Sequence, residues 1–229
     1  MKKKARIIPI RPDLENDLFD IPDDLREIMK AIGGMQANLR KSSTVQPARK
    51  KGLKLTYQFK IKLRGTSKPP VWRRVLVPAH FTFSGLHAVI QEAFGWWNEH
   101  LYNFCDVPYS RALTIAEPNE EDWQKPDYNA RKFTLGEFFG YGDTINKLCY
   151  VYDFGDDWIH DITLEKVLDE FSDHATCTTG KGVCPEEDSG GIWGYEEMKE
   201  TGEIDATDFD VEEVREGVEE LSYDGYEPW

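Results

Sequence analysis

The sequence predicts an α+β fold: a mainly antiparallel sheet with packed helices, forming a single compact domain behind an N-terminal appendage. Stretches of alternating apolar and polar residues recur between Leu53 and Leu164, separated by turn chemistry of the hairpin kind. Helical periodicity is confined to separate segments, and no internal repeat is present. The chain has 229 residues, 40% hydrophobic and 13% aromatic, enough for one generous domain or two small ones with a real core.

The elements follow in order. Residues 1–52 form the appendage. A helix is expected from Pro22 or Asp23 to Leu39, with Leu25, Ile28, Met29 and Ile32 at helical spacing and Asp23 and Asp24 favouring its N-terminal end, although Gly33-Gly34 interrupts its middle. Residues 41–52 are polar, basic and punctuated by Pro47 and Gly52, which reads as a mobile linker. The domain proper spans 53–229. Tyr57, Phe59, Ile61 and Leu63 alternate with Gln58, Lys60, Lys62 and Arg64, giving a half-buried strand with a basic outer face. Val71 to Val77 supplies its partner, in which one of Arg73 and Arg74 points outward and the other finds a carboxylate. Ser84 is the expected cap of a helix whose stripe runs through Leu86, Val89, Ile90, Ala93, Phe94 and Trp97, with Gly95 weakening its end. Strands are expected at His100–Cys105 and around Ala112–Ile115. A hairpin then joins a strand with Leu148, Tyr150, Tyr152 and Phe154 on one face to a return strand with Trp158, His160, Ile162 and Leu164 on one face, across Gly155-Asp156-Asp157. Residues 172–195 read as a loop, and a final helix fits Asp208 to Leu221.

Composition excludes several classes. No run reaches the roughly 18 apolar residues of a membrane span. The basic start is followed by an apolar run broken at Pro9 and Arg11, unlike a secretory signal. Four scattered cysteines give no disulfide framework, and a reducing cytoplasm is expected. The net charge of -14 is divided: residues 1–80 carry 19 basic against 7 acidic side chains (+12), and residues 81–229 carry 9 against 35 (-26). The basic front therefore either meets a protein or nucleic-acid partner through the N-terminal segment or is attracted to the acidic remainder of the same kind of chain.

Four groups of residues carry chemistry. The turn Asp153-Phe154-Gly155-Asp156-Asp157 crowds carboxylates that a cation would relieve, or whose side chains cap backbone N–H groups. His160 sits on an apolar strand face, with Asp153 or His100 as conceivable neighbours, and reads either as a base or ligand or as a hydrogen-bonded core histidine. Cys177, Cys184 and His174 offer sulfur and imidazole to a tetrahedral zinc, although their spacing is wider than that of structural zinc sites. Glu186, Glu187 and Asp188 adjoin Ser189-Gly190-Gly191 ahead of a short helix, where they either grip a divalent metal or cap the helix. The candidate functional cluster is Asp157, His160, Glu187, Asp188 and His100. No phosphate-binding glycine loop, Gly-x-Ser-x-Gly elbow or His-Glu-x-x-His pair occurs.

Three stretches carry a family likeness: Pro70-Val71-Trp72-Arg73-Arg74 running to Gly95-Trp96-Trp97-Asn98-Glu99-His100-Leu101-Tyr102-Asn103-Phe104; Tyr150-Val151-Tyr152-Asp153-Phe154-Gly155-Asp156-Asp157-Trp158-Ile159-His160; and Cys184-Pro185-Glu186-Glu187-Asp188-Ser189-Gly190-Gly191-Ile192-Trp193-Gly194-Tyr195-Glu196-Glu197. Together they resemble the plasmid-pRi open-reading-frame-three-like family, met also among mobile-element passenger proteins, over roughly Leu53 to Met198. The resemblance implies a compact α+β domain with no assigned activity. Where that family often has a second histidine this chain has Tyr102, and where it often has cysteine this chain has Ser189; both changes remove potential metal ligands. Two functions are therefore expected: a cytoplasmic binding or accessory domain, or a metal-dependent hydrolase or nuclease using Asp157, His160, Glu187 and Asp188 around a divalent ion.

Overall fold

The structure, a computed structural model, describes residues 6–8, 46–119, 125–143 and 145–221. The helix expected between Pro22 and Leu39 lies outside them. Among the described residues no helix is long and apolar enough to cross a membrane.

The fold is α+β. Its strands are β1 (Arg6–Ile8), β2 (Thr56–Leu63), β3 (Trp72–Pro78), β4 (Tyr102–Cys105), β5 (Thr114–Ala116), β6 (Tyr128–Asn129), β7 (Lys147–Tyr152), β8 (Trp158–Asp169) and β9 (Thr176–Lys181). The helices are α1 (Phe83–Phe94), α2 (Leu135–Phe139), α3 (Gly191–Thr201) and α4 (Val211–Glu220). The strands form one sheet in the order β6-β5-β4-β7-β8-β2-β3-β9. Every neighbouring pair is antiparallel except β5–β6. β8 outruns β7, and β1 pairs with its last residues, Arg6 opposite Asp169 and Ile8 opposite Val167. Three residues of the N-terminal segment thus join the sheet.

Alternation sets the layers. Tyr57, Phe59, Ile61 and Leu63 of β2 are fully buried, as are Trp158, His160 and Ile162 of β8. Against this face lie the buried stripe of α1 and an aromatic cluster in which Phe83 contacts Phe104, Phe138 and Phe139. α4 packs beside α1.

Several local expectations are corrected. α1 begins two residues earlier than a Ser84 cap would place it: extended Thr82 is the cap, accepting from the Gly85 N–H at 3.1 Å, and Ser84 instead donates to Glu117. Gly95, with φ +75°, ends the helix, so Trp97 leaves the stripe and is 78% exposed while Trp96 is buried. Phe154 is exposed because β7 stops at Tyr152 and Asp153 turns the chain with φ +52°. The stretch 172–195 is not all loop: it contains β9, paired along β3, and the start of α3. The segment read as a mobile linker is fastened where the Ala48 and Arg49 N–H groups donate to Phe138 and Glu137 carbonyls.

The two arginines of β3 behave differently from one another. Arg74 makes the expected ion pair, with both Glu165 oxygens at 2.6 and 3.0 Å. Arg73 is buried, and among the described residues no carboxylate pairs with it. Its Nε donates to the Ala93 carbonyl at 2.8 Å and one terminal nitrogen donates to the Trp72, Lys181 and Gly182 carbonyls, each at 3.0 Å. Phe94 and Phe209 cover it. Gly180 leaves the room: a Cβ there would fall 2.9 Å from Arg73 Cδ and 2.7 Å from the Phe209 ring. Replacing Arg73 by Met removes the donor from four carbonyls, the Ala93 and Gly182 bonds being buried, and should cost about 3 kcal/mol or more in urea unfolding. Arg74→Met, which removes a half-exposed ion pair, should cost no more than about 1 kcal/mol.

Candidate functional site

Three connections meet at one end of the sheet. The first is the β7–β8 turn, where Asp153 is buried, its Oδ1 accepting the Gly155 N–H at 2.8 Å and its carbonyl accepting the Asp157 N–H. The second is the segment from Gly95 to Leu101. Asn98 anchors it: its N–H donates to Gln91 Oε1 at 3.0 Å and its side-chain oxygen lies 2.5 Å from His87 Nε2. His87 Nδ1 and Gln91 Nε2 both meet the Tyr150 hydroxyl, at 2.7 and 3.0 Å. The third is the segment from Gly182 to Gly190. Trp96 Nε1 donates to the Pro185 carbonyl at 2.8 Å, and the Gly190 N–H donates to Asp156 at 3.0 Å. Gly191 is required here: its φ is +67°, and a Cβ would lie 2.5 Å from the Asp156 carbonyl oxygen.

Each connection delivers one side chain. Among the described residues, His100, Asp153 and Asp188 form the group whose potential metal-ligand atoms all lie within 4.8 Å of one another. His100 Nε2 is 3.1 Å from Asp188 Oδ1 and 3.8 Å from Asp153 Oδ2. That nitrogen is itself buried yet makes no hydrogen bond, so the short approach to Asp188 is off the line a bond needs. Asp153 is buried and Asp188 exposed, so the group opens to solvent on one side.

His100 and Asp188 of the sequence-derived cluster are thus brought together, joined by Asp153, which the sequence offered as part of the turn and as a conceivable neighbour of His160. Glu187 adjoins them with its carboxylate engaged, accepting from the Tyr152 hydroxyl and from the Trp97 N–H at 2.7 Å. Asp157 accepts from the Tyr109 hydroxyl. His160 is sealed in the core among Phe94, Trp96 and Tyr150, with Nδ1 3.1 Å from the Trp158 carbonyl. Cys177, Cys184 and His174 do not assemble. Cys177 is buried in β9 with its thiol toward the Thr179 carbonyl, burial pushes the Cys184 thiol up, and exposed His174 pairs with Asp173.

The chain matches the family described as Plasmid pRiA4b ORF-3-like protein over residues 55–228. The chain belongs to this family. The ORF-3-like match runs past Met198, where the sequence resemblance stopped, and takes in α3 and α4. Among proteins of the same kind, the uncharacterised protein y4hQ of Sinorhizobium fredii is 39% identical over 135 residues, which are 58% of this chain and 66% of that protein, just under two thirds of its length. A crystal structure of the protein of unknown function MM3350 from Methanosarcina mazei Go1 superposes with a TM-score of 0.61 at 33% identity, covering 72% of this chain and 99% of that one. The two departures from the ORF-3-like pattern have local uses here. Tyr102 stacks on His87 with ring centroids 3.7 Å apart and donates to Glu117, and Ser189 donates to the Glu186 carbonyl at 2.6 Å.

Burial holds both core histidines neutral, lowering His87 to about 4 and His160 to about 3 against an ordinary 6.5. Unfolded, each protonates near its ordinary value, so between that value and the folded one the unfolded chain binds more protons. Stability from these residues is complete above about pH 6.5. It should fall as pH drops toward 4, with His87 alone contributing on the order of 3 kcal/mol. Urea unfolding at successive pH values checks this, and His87→Gln should flatten the slope between pH 6.5 and 4.

Proposed function

We propose that this domain is a divalent-cation-binding module whose ligands are His100 Nε2 and the carboxylates of Asp153 and Asp188. The observation that carries the reading is the orphaned His100 nitrogen, buried and unaligned, facing two carboxylate oxygens. A self-sufficient ion pair would aim an N–H at one oxygen. A cation between the three satisfies all of them together. One nitrogen with two carboxylates suits zinc or manganese better than calcium, which takes oxygen ligands. Three protein ligands leave coordination positions for water or a bound partner, which is how a binding module or a hydrolytic centre would use the ion. The binding reading is preferred, because His160 and Asp157, two of the four residues the hydrolase reading relied on, are not members of the ligand group.

The division into an appendage of residues 1–52 and a domain of residues 53–229 is part of the same proposal. The start of the family match at residue 55 supports it. The basic segment remains the candidate contact for a protein or nucleic-acid partner, supported by its charge, and a cytoplasmic setting is supported by four unpaired thiols.

Calorimetric titration of the chelator-treated protein with Zn²⁺ and Mn²⁺ tests the cation. One ion per chain is expected, with a rise in melting temperature on binding. Asp188→Asn, at an exposed position that should not disturb folding, should weaken affinity at least about tenfold, whereas Asp157→Asn should leave it unchanged. Absence of binding, or equal binding by Asp188→Asn, overturns the proposal.

A further inference from the structure

We propose that Cys105 and Cys149 are a reversible dithiol–disulfide pair linking β4 to β7 across the sheet. This inference is independent of the cation site. The two residues are directly opposed in the antiparallel β4–β7 ladder, which runs from Tyr102 opposite Tyr152 to Cys105 opposite Cys149. Opposed residues in such a ladder have Cα atoms about 4.5 to 5.5 Å apart and side chains on the same face. A disulfide needs a Cα separation of about 4.4 to 6.8 Å, so the ladder spacing admits the bond.

The setting favours pairing of these two thiols and no others. Both are fully buried, and with Val151 and Ile159 they form a small apolar cluster separate from the main core. Since Phe104 and Tyr150 belong to the main core, alternation puts the cysteines on the opposite face of the sheet. The two thiols neighbour one another in that cluster, and the Arg64–Asp161 ion pair lies beside Cys149. Burial and the neighbouring thiol hold the Cys149 thiol well above its ordinary range, so the pair is inert while the sheet is closed. Cys105 is the last residue of β4, whose outer neighbour is only the three-residue strand β5. Fraying there gives an oxidant its access. Cys177 and Cys184 do not face each other in any strand pair among the described residues.

The oxidant required is a low-molecular-weight disulfide such as oxidised glutathione. The Cys105 thiolate attacks one glutathione sulfur and expels glutathione thiolate. The Cys149 thiolate then attacks the Cys105 sulfur of the mixed disulfide and releases the second glutathione. The pair loses two electrons and two protons, and one glutathione disulfide becomes two thiols. The bond would rivet together the two strands whose other ends lead to His100 and Asp153.

The test is overnight incubation of the full chain with oxidised glutathione, removal of the reagent, and thiol counting after denaturation. Wild type should fall from four thiols to two, become two hydrogens lighter, and yield a Cys105–Cys149 cross-linked peptide that dithiothreitol separates. Cys105→Ser should keep all three of its thiols, whereas Cys149→Ala, lacking the resolving thiol, should keep two and carry one glutathione on Cys105. Four thiols remaining in wild type, a Cys177–Cys184 linkage, or a lasting glutathione adduct in place of the cross-link would each overturn the proposal.

Discussion

A buried guanidinium with no counter-carboxylate among the described residues holds this fold together at the place that matters for the site. Arg73 leaves the start of β3, takes the Ala93 carbonyl at the end of α1, and takes the Lys181 and Gly182 carbonyls where β9 runs out. Those are the roots of two of the three segments that carry the proposed cation ligands. The segment after Ala93 leads to His100, and the segment after Gly182 leads to Asp188. A cation at a helix C-terminus also meets the negative end of the helix dipole, so part of the desolvation of Arg73 is offset by the backbone itself. Burial lowers the arginine's proton affinity, yet guanidinium remains charged far above neutrality, so this connection does not titrate under ordinary conditions.

How much of this was legible in the sequence depends on whether the signal was local. β2 and β8 could be read because each buries alternate residues, β7 because its apolar run leads into turn residues, and α1 because its stripe is continuous. β9 could not: Thr176-Cys177-Thr178-Thr179-Gly180-Lys181 has no alternation, and its strand character comes from pairing with β3 and from Gly180 yielding to Phe209 and Arg73. Trp97 misled because it completes a helical stripe on paper, while Gly95 at positive φ has already ended the helix. The Arg73 contacts were illegible for another reason. Carbonyl acceptors leave no mark on the sequence, so only a carboxylate partner could be anticipated.

The candidate site shows the same limit. His100 and Asp188 were recognisable by type, but their meeting depends on two loops fixed by Asn98 with His87 and by Trp96 with Pro185. His160 was drawn into the cluster because histidine reads as chemistry. Its fully buried position among aromatic rings is an ordinary consequence of strand alternation, which places it on the same face as Trp158 and Ile162.

The turn aspartates need not be either structural or functional, because a carboxylate has two oxygens. Asp153 spends Oδ1 on the Gly155 N–H, which fixes the turn, and presents Oδ2 toward His100. Asp156 holds the Gly190 N–H and so keeps the Asp188 segment against the turn. Asn98, Asp153, Asp157 and Asp188 all adopt positive φ, a conformation that Asn and Asp tolerate better than other residues with side chains. The residue types that permit these sharp turns are therefore the same types that supply oxygen to the site. Rigid turns then fix the buried Asp153, while the exposed Asp188 faces solvent, so an arriving ion would meet Asp188 first and complete its coordination inward.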